Sequence, residues 1–317
     1  MTIMTELKEP EKILCIGSVT VDIKAFSPED DDGTEAYREG TIELVAGGVS
    51  RGMAINLKHL GLDSSICTYV GDDIFGDFVQ RELKKEGVNT DLLRISSQNQ
   101  TALFSVMASR NKSATCVYST KILQEITLDK NVLDFIEREK IRNISMDSNL
   151  SPETFQEIYK YKEKHPEIFI FQNATAPDIA NKTVKYARLI NLFGCNEFEA
   201  AAILGEEVSP DIPTADHLQA LGFENFIITF GGRGVLVRIG NETWIEPPYT
   251  PHHIVDTIGA GDAFASGFLM GFLNHEDTKR CIHYGLACAK ETLLTRQTVS
   301  SLLTRDFLEN YPEAEKK

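Results

Sequence analysis

The stretch DTIGAGDAF, residues 256–264, sets two glycines around an alanine, puts an acid directly behind them and then opens the apolar run AFASGFLMGFL. Glycine is costly at a helix entrance unless the backbone there must approach something closely. A buried helix that begins Gly259-Ala260-Gly261 presents unpaired N–H groups at its positive end. Such a terminus suits a phosphate, or the charge that grows on a phosphoryl group in transfer. Asp262 beside it is placed to take a proton from an attacking hydroxyl. The same residues also fit a plainer role, a capped core helix whose glycines serve packing.

The elements that must hold this stretch alternate. KILCIG reads as a buried strand running into a loop, RGMAINLKHLG as a helix closed by Gly61, SSICTYVG as a strand and DIFGDFVQRELKKEG as a helix. Further helices are expected over 131–139, 152–164, 178–186, 197–204, 215–221, 263–273 and 278–294. Strands are expected over 141–146, 168–171, 189–192, 226–230 and 235–239. Repeated strand–helix units imply an α/β fold, a mostly parallel sheet covered on both faces. Two β-rich excursions, near 20–46 and 98–120, break the rhythm, the second as a hairpin around Asn111 and Lys112. They read as one small β-sheet over the edge of a single domain spanning 1–317, a lid. Its exposed face suggests a homodimer. Residues before Lys12 and after about Asn310 read as frayed ends.

The chain has 317 residues and a formal net charge of −15, which repels nucleic acid and anionic membrane. Its six cysteines are scattered without a C-x-x-C pair and read as reduced thiols. With no signal-peptide core and no membrane-length apolar run, a cytoplasmic location is expected. GAGDAF does not read as a dinucleotide fingerprint, because it neither follows a first strand nor is trailed by an acid on a next one. No G-x-x-x-x-G-K-[ST] is present.

DTIGAGD resembles the C-terminal signature of the PfkB/ribokinase family of sugar and nucleoside kinases. GGVSRGMAINLKHLG is similar to that family's N-terminal double-glycine signature, and GSVTVD, CNEFEA and TFGGRGV follow in family order over roughly residues 12–303. The resemblance implies a three-layer α/β/α sandwich with a β-lid, and an ATP-dependent kinase acting on a small-molecule acceptor. It casts Asp262 as catalytic base and the amides of Gly259, Ala260 and Gly261 as the anion hole. Asp22 would bind acceptor hydroxyls, with Gly47 and Gly48 letting the backbone close in. Asn196 and Glu199 match the N-x-x-E element that organises Mg2+ through water. Thr229, Gly231 and Gly234 would border ATP, and Asp256 would serve a monovalent cation, K+. Each motif keeps a bland alternative: a turn cap for Asp22, a tight turn for Gly47-Gly48, a helix cap with its capping box for Asn196 and Glu199, and an interstrand loop for TFGGRG.

GGVSRG, with Arg51, resembles the pseudouridine-kinase branch most, and MDSNLS (146–151) and TLLTRQTVS (292–300) lean the same way. This chain departs from the family at Gly52, where an asparagine usually binds sugar hydroxyls; Asn149 and Asn56 are the candidates to fill in. It departs again at Gln172-Asn173, in place of Asp-Pro, and at Gly194-Cys195, in place of Lys-Pro. The expected reaction is phosphoryl transfer from ATP to a primary hydroxyl, the 5′-hydroxyl of pseudouridine first. Ribose, fructose and adenosine are alternative acceptors, and a ligand-binding relative without turnover is the alternative of another class.

Overall fold

The computed structural model describes residues 10–31, 37–111 and 114–312. Along the chain lie β1 (Lys12–Ile16), β2 (Thr20–Ser27), β3 (Thr41–Gly47), α1 (Val49–His59), β4 (Asp63–Gly71), α2 (Ile74–Lys85), β5 (Asn89–Ser96), β6 (Leu103–Ser109) and β7 (Ala114–Ser119). The middle holds α3 (Lys130–Arg138), β8 (Asn143–Met146), α4 (Pro152–Lys164), β9 (Phe169–Asn173), α5 (Pro177–Ala180), β10 (Leu192–Asn196), α6 (Glu197–Leu204) and α7 (Ile212–Ala220). The last part adds β11 (Phe226–Thr229), β12 (Val235–Ile239), β13 (Glu242–Glu246), α8 (Ala260–Leu273), α9 (Thr278–Thr292) and α10 (Arg305–Glu309).

The large sheet runs β13-β12-β11-β10-β9-β8-β1-β4-β5, parallel throughout except for β12 and β13. Its strands are apolar on both faces. Ile13 and Cys15 pack on one side with α1, α2, α8 and α9, whereas Leu14 and Ile16 pack on the other with α3, α4, α6 and α7. A strand buried on both faces reads as the unbroken apolar run KILCI for this reason. The second sheet runs β3-β2-β6-β7, with β2 parallel to β6 and the outer pairs antiparallel, so both β-rich excursions join in one sheet. The expected hairpin tip at Lys112 lies outside the described residues, as do residues 32–36 of the first β-rich excursion and most of the expected frayed ends.

Two elements differ from the sequence expectation. The helix expected over 178–186 is only the single turn α5, continued as a 3₁₀ run over Asn181–Leu189. The Thr183 hydroxyl bonds the Ala180 carbonyl at 2.7 Å, and such back-bonding competes with regular helical pairing. The strand expected at 189–192 consequently begins at Leu192. β13 went unforeseen, although the two-residue Gly240-Asn241 turn before it is a hairpin signal.

The chain leaves β1 for β4 on one side and returns at β8 on the other. Loops after the carboxyl ends of parallel strands at such a switch point form a crevice. Into it project the segments after β1, β8, β9, β10 and β11. No helix among the described residues is long and apolar enough to cross a membrane.

Candidate active site

α8 enters the core with no side chain capping its first turn, and Gly259 precedes it at φ 85°. A Cβ on Gly259 would sit 2.2 Å from the Thr298 carbonyl oxygen, so the turn requires glycine. The Ala260 amide reaches the Thr257 carbonyl at 3.4 Å. Gly259, Gly261 and Asp262 line a cleft of about 240 Å³ together with Asn196, Glu199 and Thr229. A second cavity, about 510 Å³, is lined by Asp22, Gly47, Gly48, Gly52 and Asn149, and it too reaches Gly259 and Asp262. Asp262 and the glycine turn therefore stand on the wall the two spaces share. This arrangement can hold an anion on one side and deprotonate a hydroxyl presented from the other.

Burial pushes the Asp262 carboxyl up to about 7, the charges of Asp147 and Glu199 add to the rise, and Arg51 opposes it. Burial likewise takes Glu199 up to about 7 against its hydrogen bonds from Asn196. Asn196 and Glu199 form a full capping box on α6. Asn196 Oδ1 accepts from the Phe198 and Glu199 amides, and Glu199 Oε2 accepts from the Asn196 amide at 2.8 Å. The structural role and the place at the cleft coexist. With one carboxylate oxygen committed to the cap, Glu199 fits a Mg2+ bound mainly through water and phosphate rather than a protein cage. No group of three or more His, Cys, Asp or Glu among the described residues could hold a metal.

The wall of the larger cavity is fastened by a residue the sequence reading did not single out. Asp147, fully buried after β8, accepts from the Ser18 amide (2.6 Å), the Ser18 hydroxyl (2.7 Å) and the Ser50 hydroxyl (2.8 Å) through Oδ2. Its Oδ1 accepts from the Asn149 amide at 3.0 Å. It joins the loop after β1, the start of α1 and the loop after β8. The only sequence signal was an acid just past a strand, inside MDSNLS. Asp22 is buried, which raises its pKa against the Thr20 hydrogen bond and the Lys24 and Arg51 charges. A Cβ on Gly47 would lie 2.4 Å from the Asp22 carboxylate, so this glycine is what lets the lid acid close on the α1 turn. Thr175, lining both cavities, holds φ 75°, a strained value for a β-branched residue. Asn173 Oδ1 accepts its amide at 2.8 Å, and its hydroxyl accepts the Ser148 amide at 2.9 Å.

A family model for pfkB carbohydrate kinases matches residues 10–305. The chain belongs to the pfkB family. A ribokinase of Bacillus subtilis is 24% identical over 298 residues, covering 94% of this chain and 98% of the relative. A pseudouridine kinase of Escherichia coli is 24% identical over 303 residues, covering 92% and 93%. Among solved structures, an Arabidopsis thaliana ribokinase complexed with ribose and ATP superposes with TM-score 0.82 at 18% identity, covering 95% of this chain and 97% of the other. A Giardia lamblia ribokinase gives 0.81 at 21% identity, covering 95% and 99%. The fold is ribokinase-like, and the protein is a kinase that transfers phosphate from ATP to a sugar or nucleoside hydroxyl.

Several residues of the pfkB motifs lie apart from both cavities. The Arg51 guanidinium, 4% exposed in its side chain, turns behind the lid strand. There it pairs with Glu82 (2.7 and 2.5 Å) and donates to the Thr298 hydroxyl at 3.0 Å. That buried, doubly bonded geometry ties α1 to α2 and to the segment packed on Gly259, and leaves nothing to reach an acceptor. Gly231 and Gly234 shape the turn between β11 and β12 and line neither cavity, unlike the adjacent Thr229. Gln172 is buried behind the cleft, accepting from Tyr159 at 2.9 Å and donating to Ser148 at 3.2 Å. Asn56 is buried in α1, and its amide has no hydrogen-bond partner. Asp256 accepts Lys24 Nζ at 2.8 Å and the Ile258 amide at 3.1 Å, so a cation of the chain itself already sits on the carboxylate expected to serve a monovalent cation.

The raised Asp262 pKa carries a stability consequence. Between its ordinary 3.8 and about 7 the unfolded chain ionises this group while the folded chain keeps it protonated, so stability is lost as pH rises across that window. Asp262→Asn removes the loss. Its melting temperature should exceed wild type by a margin that widens from pH 5 to pH 8; a margin independent of pH would contradict the burial.

Proposed function

We propose that this pfkB kinase is a nucleoside kinase acting on the 5′-hydroxyl of a ribonucleoside, pseudouridine first. The observation that carries the reading is a row across the lid. Asp22 on β2 pairs in register with Phe104 on β6, which pairs with Tyr118 on β7. All three line the larger cavity, and the two rings stack 6.5 Å apart at 14°. A carboxylate for ribose hydroxyls beside an aromatic wall suits a sugar that carries a base; a free pentose would leave the wall untouched. Asn149 supplies an amide to the same cavity, where Gly52 supplies none. A Cβ at Gly52 would come within 3.3 Å of Asp262 Oδ2, so glycine there keeps room beside the base.

In this reading the hydroxyl attacks the γ-phosphorus in line, the bond from that phosphorus to the bridging oxygen breaks to release ADP, and the hydroxyl's proton passes to Asp262. The Gly259 and Gly261 amides, with Ala260 turned partly to Thr257, hold the charge on the transferring group at the helix end. Glu199, beside Asn196, would hold a magnesium ion through water, and that ion would supply positive charge to the ATP phosphates. Thr229 borders the phosphates, and the Gly231–Gly234 turn lies further along toward the nucleoside of ATP. Closing the lid excludes water from the cleft. ATP supply and six unpaired thiols fit work in the cytoplasm.

The lid also supports a homodimer. On the face opposite Asp22 and Phe104, Ile42 and Leu44 of β3, Met107 of β6 and Val117 of β7 are all exposed, with Ile42 at 74%. A contiguous apolar sheet face of this kind fits a second copy of the chain.

Three measurements check these readings. With Mg-ATP and single acceptors, ADP and phosphorylated product should appear with pseudouridine well above ribose, fructose or adenosine; ligand-induced thermal shifts without ADP would replace the kinase reading by a sensor. kcat/KM should rise with pH through about 7 as Asp262 ionises, and Asp262→Asn should lose about 10²–10⁴ in kcat. Light scattering should give twice the 35.3 kDa of one chain, and Val117→Glu with Leu44→Glu should halve it; a wild-type monomer at micromolar concentration would exclude the lid interface.

A further inference from the structure

The lid is tied to the α8 entrance by charge. Lys24 lies on β2 two residues past Asp22, on the same face, and its ammonium reaches Asp256 Oδ2 at 2.8 Å with both side chains mostly buried, 18% and 25% exposed. Asp256 Oδ1 in turn accepts the Ile258 amide at 3.1 Å, one residue before Gly259. Partial burial works to raise the Asp256 pKa, but the Lys24 bond, the Ile258 amide and the Lys24 charge together hold the carboxyl below its ordinary value. Glu43, the β3 neighbour of Lys24 in register, makes a second crossing to Arg296 at 3.3 Å. Ala46 of the same strand makes a third, accepting the Thr298 hydroxyl at 3.1 Å. The two loops that receive these contacts are joined to each other, the Val255 amide donating to the Leu293 carbonyl at 2.8 Å.

We propose that Lys24 is a positioning residue for phosphoryl transfer. Its ammonium occupies the place at Asp256 that a free monovalent cation would need, so the lid carries the loop's cation within the chain. Two consequences follow from the geometry. Seating β2 over the acceptor and fixing the Ile258–Gly261 amides become one event, because one ion pair does both. Because the Lys24 ammonium already neutralises the Asp256 carboxylate, an added cation gains little differential contact there, and a ligand without differential contacts shifts nothing. The latch is a property of the chain alone; its effect on turnover rests on the kinase reading above.

The test has two arms. In the first, without substrates, hydrogen exchange of peptides spanning 254–261 is compared among wild type, Lys24→Met and Lys24→Arg. Lys24→Met should speed exchange there about fivefold or more, with Lys24→Arg close to wild type. In the second, turnover is measured at constant ionic strength with K+ replaced by tetramethylammonium. Wild type should stay within about twofold. Lys24→Met should lose roughly tenfold or more in kcat with a smaller change in KM, Lys24→Arg should restore most of it, and K+ should recover part of the loss in the methionine variant alone. Unchanged exchange in Lys24→Met, or strong activation of wild type by K+, would overturn the proposal. If Lys24→Met fails to fold, Asp256→Asn removes the other half of the pair and is read by the exchange and kcat outcomes, with no recovery by K+ expected because the carboxylate is gone. Absence of turnover with every acceptor would count against the kinase reading and leave the exchange arm to decide the latch.

Discussion

The whole site depends on a helix that begins where it cannot be capped. α8 is apolar nearly all round and must lie inside, yet no side chain caps its first turn, where Gly259, Gly261 and Asp262 line a cleft. Unpaired backbone donors buried without a partner are costly, so a terminus of this kind is stable only where water or an anion can reach it. The carboxylate on its first turn is drawn into the same low-dielectric setting, which holds it near neutrality in pKa and suits it to exchange a proton with an alcohol.

Fixing that terminus takes contacts from distant parts of the chain. Thr298 presses its carbonyl against Gly259, and Arg51 holds Thr298 from behind while balancing Glu82. Asp147 gathers the loops after β1 and β8 with the start of α1, and adds its negative charge to the field at Asp262. A buried carboxylate with four donors is both a rivet and an electrostatic source. Its removal would therefore loosen the acceptor wall and lower the Asp262 pKa together.

The lid is the part of the fold least supported by the core, being a four-stranded sheet with one face over the acceptor cavity and the other exposed. Its cavity face carries what a polar, ring-bearing ligand would meet, and its charges fasten it to the two loops around α8. Membership of the pfkB family accounts for the scaffold and the reaction class. Within that scaffold the row of Asp22, Phe104 and Tyr118 lines the larger cavity, and Gly52 leaves room there beside Asp262.

The sequence alone determined the alternation of strands and helices and the separate lid sheet, because period and glycine placement are local properties, and it joined GAGD, N-x-x-E and Asp22 into one reading only through their resemblance to the pfkB motifs. It did not determine that the 178–186 segment would pass into 3₁₀ turns, since a hydroxyl's choice between its own backbone and solvent depends on packing. Only the tertiary structure decided which charges face which space. Arg51 sits in a glycine-rich motif and reads as a ligand contact, but Glu82, 31 residues further on, turns it away. Lys24 gave no signal beyond residue type and Asp147 only its place just past a strand, because each acts through partners far along the chain. Side-chain direction is set by long-range neighbours, and a single sequence does not display them.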